Sequence, residues 1–106
     1  MSSKSKKELI SYYILESSRI ITTVSEILVF LKEENLNYPL RIMTSYINTL
    51  TNILTHLSEA KETFSNLDRE NICHETFERA RRVIVDQDHR FQRLEIRIWL
   101  HFQNKY

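Results

Sequence analysis

Apolar residues recur along this chain in alternating steps of four and three, and they do so in three blocks. In the first, Ile10, Ile14, Ser17, Ile21, Val24, Leu28 and Leu31 form one row, with Leu9, Tyr13, Ile20 and Ile27 beside it. In the second, Met43, Ile47, Leu50, Leu54, Leu57 and Phe64 keep the same rhythm, with Lys61 out of pattern and Ile42, Tyr46, Ile53, Ala60 and Leu67 on the neighbouring row. The third runs Cys73, Phe77, Ala80, Ile84, Gln87, Phe91, Leu94, Ile98 and His101, a repeat held without a slip across four heptads. Steps of three and four bring side chains onto one helical face, so the pattern predicts three amphipathic helices. The first two have apolar faces wider than a single seam requires.

Two interruptions divide the blocks. Pro39 suits the first turn of a helix, where a missing N–H costs nothing, and Asn35 or Asn37 suits a cap or a left-handed position. Around Ser65-Asn66-Leu67-Asp68 the break is weaker, with Asp68 as an N-cap and Glu70 in the turn that follows. The predicted helices cover about residues 6–34, 39–65 and 69–103 of one domain spanning 1–106, with residues 1–5 a flexible basic tail. The β-branched run Ile20-Ile21-Thr22-Thr23-Val24 favours a strand locally. The heptad passes through it in phase, and helix is preferred there.

Helices of this length are rods of about 40 to 55 Å at ~1.5 Å per residue. Short turns make them run up, down, up, in an elongated all-α three-helix bundle with coiled-coil-like packing. The surplus apolar width predicts pairing with a second copy into a larger bundle by dimerisation; a monomer with broad faces, like a spectrin repeat, is the alternative.

Composition narrows the chemistry. The 106 residues include no Gly, one Pro and one Cys. Without Gly, phosphate-cradling loops and tight hairpins lose their cheapest source of positive φ, which argues against Rossmann, P-loop and β-hairpin designs. One Cys forms neither an internal disulfide framework nor a thiolate zinc cage, so a reducing, cytoplasmic or other intracellular compartment is expected. Apolar runs reach five residues, far short of a membrane span of about 20. On the third seam, Cys73 reads as a small buried hydrophobe.

The formal net charge of +1 hides a strong asymmetry. From Glu59 to Glu78 acids dominate, and from Arg79 onward bases do. On a helix Arg79, Arg82, Arg90, Arg93 and Arg97 fall within roughly 80° of one another along about 27 Å, away from the apolar seam. Such a stripe could grip phosphates. With a net charge so close to zero the preferred reading is a solvated face whose guanidinium groups pair with Glu78 and Asp86 one turn away, and a contact for an acidic protein is the remaining alternative.

For partner contact through the third helix the candidates are Phe91, Leu94, Ile98, Trp99 and Phe102, with Trp99 and Ile96 standing off the seam. His56, His74, His89 and His101 suggest no metal site, because Asp86 and His89 lack the second carboxylate–histidine pair a di-iron bundle needs, and adjacent Cys73 and His74 diverge on a helix. Arg82 and His89, separated by six residues, form a pair that resembles the Arg–His signature of the helical ribonuclease domains called HEPN. That resemblance implies a shared RNA-cleaving site built from two protomers. It covers two residues, and the polar residue expected after the Arg is replaced by Val83. No nucleophile elbow or oxyanion loop is present. The expected function is a non-enzymatic helical interaction or assembly subunit without cofactor, metal or small-molecule substrate; a nucleic-acid-associated protein using the Arg stripe is the alternative.

Overall fold

The computed structural model describes residues 5–37 and 41–105. Three helices account for nearly all of them: α1 (Lys6–Asn37), α2 (Arg41–Asn66) and α3 (His74–Lys105). Among the described residues there is no strand, and no helix is long and apolar enough to cross a membrane.

Local chemistry sets the helix ends. Ser5, assigned to the tail by its composition, is the N-cap of α1: its carbonyl accepts the Leu9 N–H at 3.0 Å and its hydroxyl accepts the Glu8 N–H at 3.3 Å. Ser5 and Glu8 have the spacing of a capping box, with the acid in the first turn where the helix dipole favours it. At the other end α1 continues through Asn37 rather than stopping at Glu34, and no described residue has positive φ. Asn35 is therefore helical and not left-handed; Tyr38 and Pro39 lie outside the described residues. The β-branched run is helical as well. Ile20 and Val24 are buried there, and the hydroxyls of Thr22 and Thr23 donate to the carbonyls of Ser18 and Arg19.

Between α2 and α3 the connection is longer than predicted. Asp68 uses its capping chemistry on a turn instead of a helix: its carboxylate accepts the Glu70 N–H at 2.9 Å and its carbonyl accepts the Asn71 N–H at 3.2 Å. Such a side-chain-closed turn competes with helix initiation. α3 accordingly starts at His74, not at residue 69, and Cys73 supplies the first carbonyl, which accepts the Phe77 N–H at 3.0 Å.

Ring contacts fix the topology. Tyr13 near the start of α1 stacks on Phe64 near the end of α2, with centroids 5.4 Å apart, and meets Phe77 at the start of α3 at 6.3 Å. Phe30, toward the other end of α1, lies 5.1 Å from Phe102 and 6.2 Å from Trp99. The helices therefore run up, down, up. α2 packs closely against both neighbours, whereas the α1 and α3 backbones approach at few points and are bridged by these large rings. The result is elongated and flattened, with Cα extents of 51 × 28 × 17 Å.

The three apolar rows meet in one core. Ile10, Ile20, Val24, Leu31, Met43, Leu50, Ile53, Leu57, Phe64 and Ile98 are fully enclosed. Ser17, the polar interruption of the first row, is enclosed too, and its hydroxyl is satisfied by the Ile14 carbonyl at 3.0 Å. Phe64 touches rings from both other helices, so Phe64→Ala should cost about 3–5 kcal/mol of unfolding free energy. Ser5→Ala should cost only about 1 kcal/mol. Urea denaturation followed by circular dichroism measures both, and equal losses would contradict this assignment of core and cap.

Candidate functional site

The bundle uses most of the residues that the α3 repeat offers for a partner. Phe91, Leu94, Ile98 and Phe102 are buried within the single chain. They follow the seam phase of α3, and that phase is filled by α1 and α2. Of the five candidates only Trp99 reaches the surface. It is 44% exposed, beside Ile96 at 61% and Leu100 at 52%. Positions i, i+3 and i+4 are neighbours on a helix, so these three side chains form one continuous apolar patch on the last turns of α3. Trp99 is anchored on its inner edge by Phe30. A second, sparser set of exposed apolar residues, Leu15, Val29 and Leu36, recurs at multiples of seven on the outer face of α1.

All five stripe residues Arg79, Arg82, Arg90, Arg93 and Arg97 are exposed. The i, i+4 pairing expected of a solvated face does not form: Glu78 pairs with Arg81 at 2.8 Å, outside the stripe. Arg81 also holds the Glu78 carboxyl below its ordinary range, chiefly through their side-chain hydrogen bond. The other ion pairs among the described residues are Lys7 with Glu70 and Arg19 with Glu16.

The surroundings split the stripe in two. Arg79 and Arg82 line a hollow of about 500 Å³ with Glu75, Glu78 and Asp86, and Arg79 reaches a second hollow containing Glu59. Acids compensate this half. Arg90, Arg93 and Arg97 instead line a groove of about 420 Å³ between α2 and α3, together with Ile42, Ser45, Tyr46, Thr49 and Leu94. No carboxylate lines it. The opposing wall is neutral because α2 carries no Asp, Glu, Lys or Arg from Ile42 to Ser58. Sequence phase alone could not join that wall to the Arg row, although the charge-free stretch is visible in the sequence.

Cys73 is exposed, not buried on the seam, because the late start of α3 leaves it at the N-cap. Its thiol is held below the ordinary cysteine value, first by hydrogen bonding to the Thr76 side chain and then by the Thr76 and Glu75 backbone N–H groups. Both N–H groups belong to the unpaired first turn, where the helix dipole also favours an anion. His74 next to it approaches Lys6, with 3.1 Å between Nδ1 and Nζ. His101 is half-buried and packs edge-on to Tyr46 and Phe102. Its Nε2 and the Oε1 of Gln87, the two polar positions of the α3 seam within the helix, are enclosed without hydrogen-bond partners. Arg82 and His89 are both exposed but line separate hollows, His89 with Gln92, Arg93 and Ile96. Among the described residues no three His, Cys, Asp or Glu side chains converge on a position fit for a metal ion.

No known protein family, curated protein or solved structure matches the chain.

The lowered Cys73 pKa has a direct consequence, because the thiolate is the nucleophile. The rate of alkylation should rise to half its plateau at a pH below that of an unperturbed thiol, about 8.5. Thr76→Val should move that midpoint upward by removing the side-chain contribution. A midpoint at the free-thiol value in the unmodified chain would contradict the capped geometry.

Proposed function

We propose that this chain is a non-enzymatic helical assembly subunit that pairs with a second copy through the apolar patch of Ile96, Trp99 and Leu100. One observation carries the reading. After the three-helix core is complete, three large apolar side chains still stand together on the outside of α3, and one of them is a Trp held in place by Phe30. Contiguous exposed apolar surface on a small chain is best explained by contact with another helix. A pre-positioned Trp loses little freedom on binding and belongs to the residue types that dominate interface energetics.

The pairing follows the coiled-coil-like logic of the chain itself. An i, i+3, i+4 cluster packs against the equivalent cluster of a two-fold related helix, an arrangement that is self-complementary and closes at two chains. Nothing in it requires Phe91, Leu94, Ile98 or Phe102 to leave the core.

Sedimentation velocity over low to high micromolar concentrations tests the proposal. The unmodified chain should approach twice 12.8 kDa with rising concentration. Trp99→Ala should weaken the association by about 30-fold, the equivalent of a hot spot of about 2 kcal/mol. Ile96→Ala combined with Leu100→Ala should weaken it further while leaving helicity unchanged. A strict monomer throughout, or an association indifferent to these substitutions, would contradict it.

A further inference from the structure

We propose that the groove between α2 and α3 binds the phosphodiester backbone of a single-stranded nucleic acid, with Arg90, Arg93 and Arg97 as the phosphate-gripping residues. The three guanidinium groups are exposed, none is in an ion pair among the described residues, and no carboxylate lines the groove. Three uncompensated cations in one groove repel each other, and an anionic ligand relieves that repulsion. Asp86, one turn before Arg90, lines the neighbouring acidic hollow instead. The anion site is thus shorter than the whole Arg stripe and ends where the acids begin.

The opposite wall fits the same ligand. Ser45 presents an exposed hydroxyl, which donates to a phosphate oxygen, while Ile42 and Tyr46 supply apolar surface against which a sugar or base can rest; the Thr49 hydroxyl donates to the Ser45 carbonyl at 3.0 Å and adds polar surface only. Ser45 and Thr49 also line the adjoining hollow on α2, which contains Arg41, Asn48 and Asn52. A polar path therefore leads from the Arg row across α2 to a fourth guanidinium without meeting an acid. Arg90 to Arg97 covers about 10 Å of helix axis at ~1.5 Å per residue. At about 3.4 Å per nucleotide of a stacked strand, that length matches about three phosphates. Arg rather than Lys throughout the row favours a ligand whose oxygens accept paired hydrogen bonds.

This inference is independent of the pairing proposed above, since Ile96, Trp99 and Leu100 do not line the groove. The test is fluorescence anisotropy of a labelled uridine oligonucleotide with the nuclease-treated 106-residue chain across a salt series, read beside sedimentation of the same samples. Binding should weaken steeply with salt. Changing Arg90, Arg93 and Arg97 together to Gln should reduce affinity at least tenfold at low salt and flatten the logarithmic salt slope by about 2, as expected for three lost contacts to a single strand. Circular dichroism should be unchanged, because all three side chains are exposed and Gln is a good helix former. Arg79→Gln with Arg82→Gln, in the acid-compensated half, should change affinity less than twofold. The inference is overturned if the triple variant binds as the unmodified chain does, if the Arg79 and Arg82 variant loses as much, or if polyglutamate competes as well as the oligonucleotide.

Discussion

The burial of three apolar rows in one seam is the constraint on which everything else in this protein depends. A chain of 106 residues has a single core to fill, and here each helix contributes a full row to it. The spacing of the helices follows from what fills the seam. Ala60 and Ala80 are buried where α2 faces α3, whereas Tyr13, Phe30, Phe77 and Phe102 span the wider separation between α1 and α3. Rings at both ends act as pillars, so the bundle is flattened without losing contact between its outer helices. The surface is what remains once that seam is satisfied.

The features visible in the sequence were those set by periodicity. Helical steps of three and four through Ile20 and Val24 outweighed the local strand preference of a β-branched run, because an enclosed face on a long helix is worth more than propensity at five positions. The third repeat likewise identified Phe77, Ala80, Ile84, Phe91, Leu94 and Ile98 as one face. The end of a helix is a subtler matter. Asp68 has equal chemistry for a helix cap and for a closed turn, and the choice shifted the start of α3 by five residues and moved Cys73 from seam to surface. Ser5 lay in a basic serine-rich stretch that read as a tail, yet Glu8 three residues later marks it as a cap.

The binding surfaces were harder to read for a geometric reason. Heptad position distinguishes inside from outside on one helix, but it does not say which neighbour fills the inside. Phe91, Leu94, Ile98 and Phe102 have the side chains of an interface and are consumed by their own bundle. Ile96 and Leu100 contribute more exposed apolar surface because they miss the seam phase. For charge the same limit applies. A single-helix projection gives five Arg residues one identity, while the adjoining helix gives them two, with acids beside Arg79 and Arg82 and hydroxyls beside Arg90, Arg93 and Arg97.

The seam closes within one chain, and contacts with other molecules are added on its outside. Dilution tests this most directly. Far-ultraviolet circular dichroism and urea midpoints, followed from high micromolar to nanomolar chain, should show undiminished helicity and a midpoint that levels off once the chain is monomeric, because the folded monomer owes its core to itself. Helicity lost on dilution together with association would contradict the account, since it would place the stabilising seam between chains.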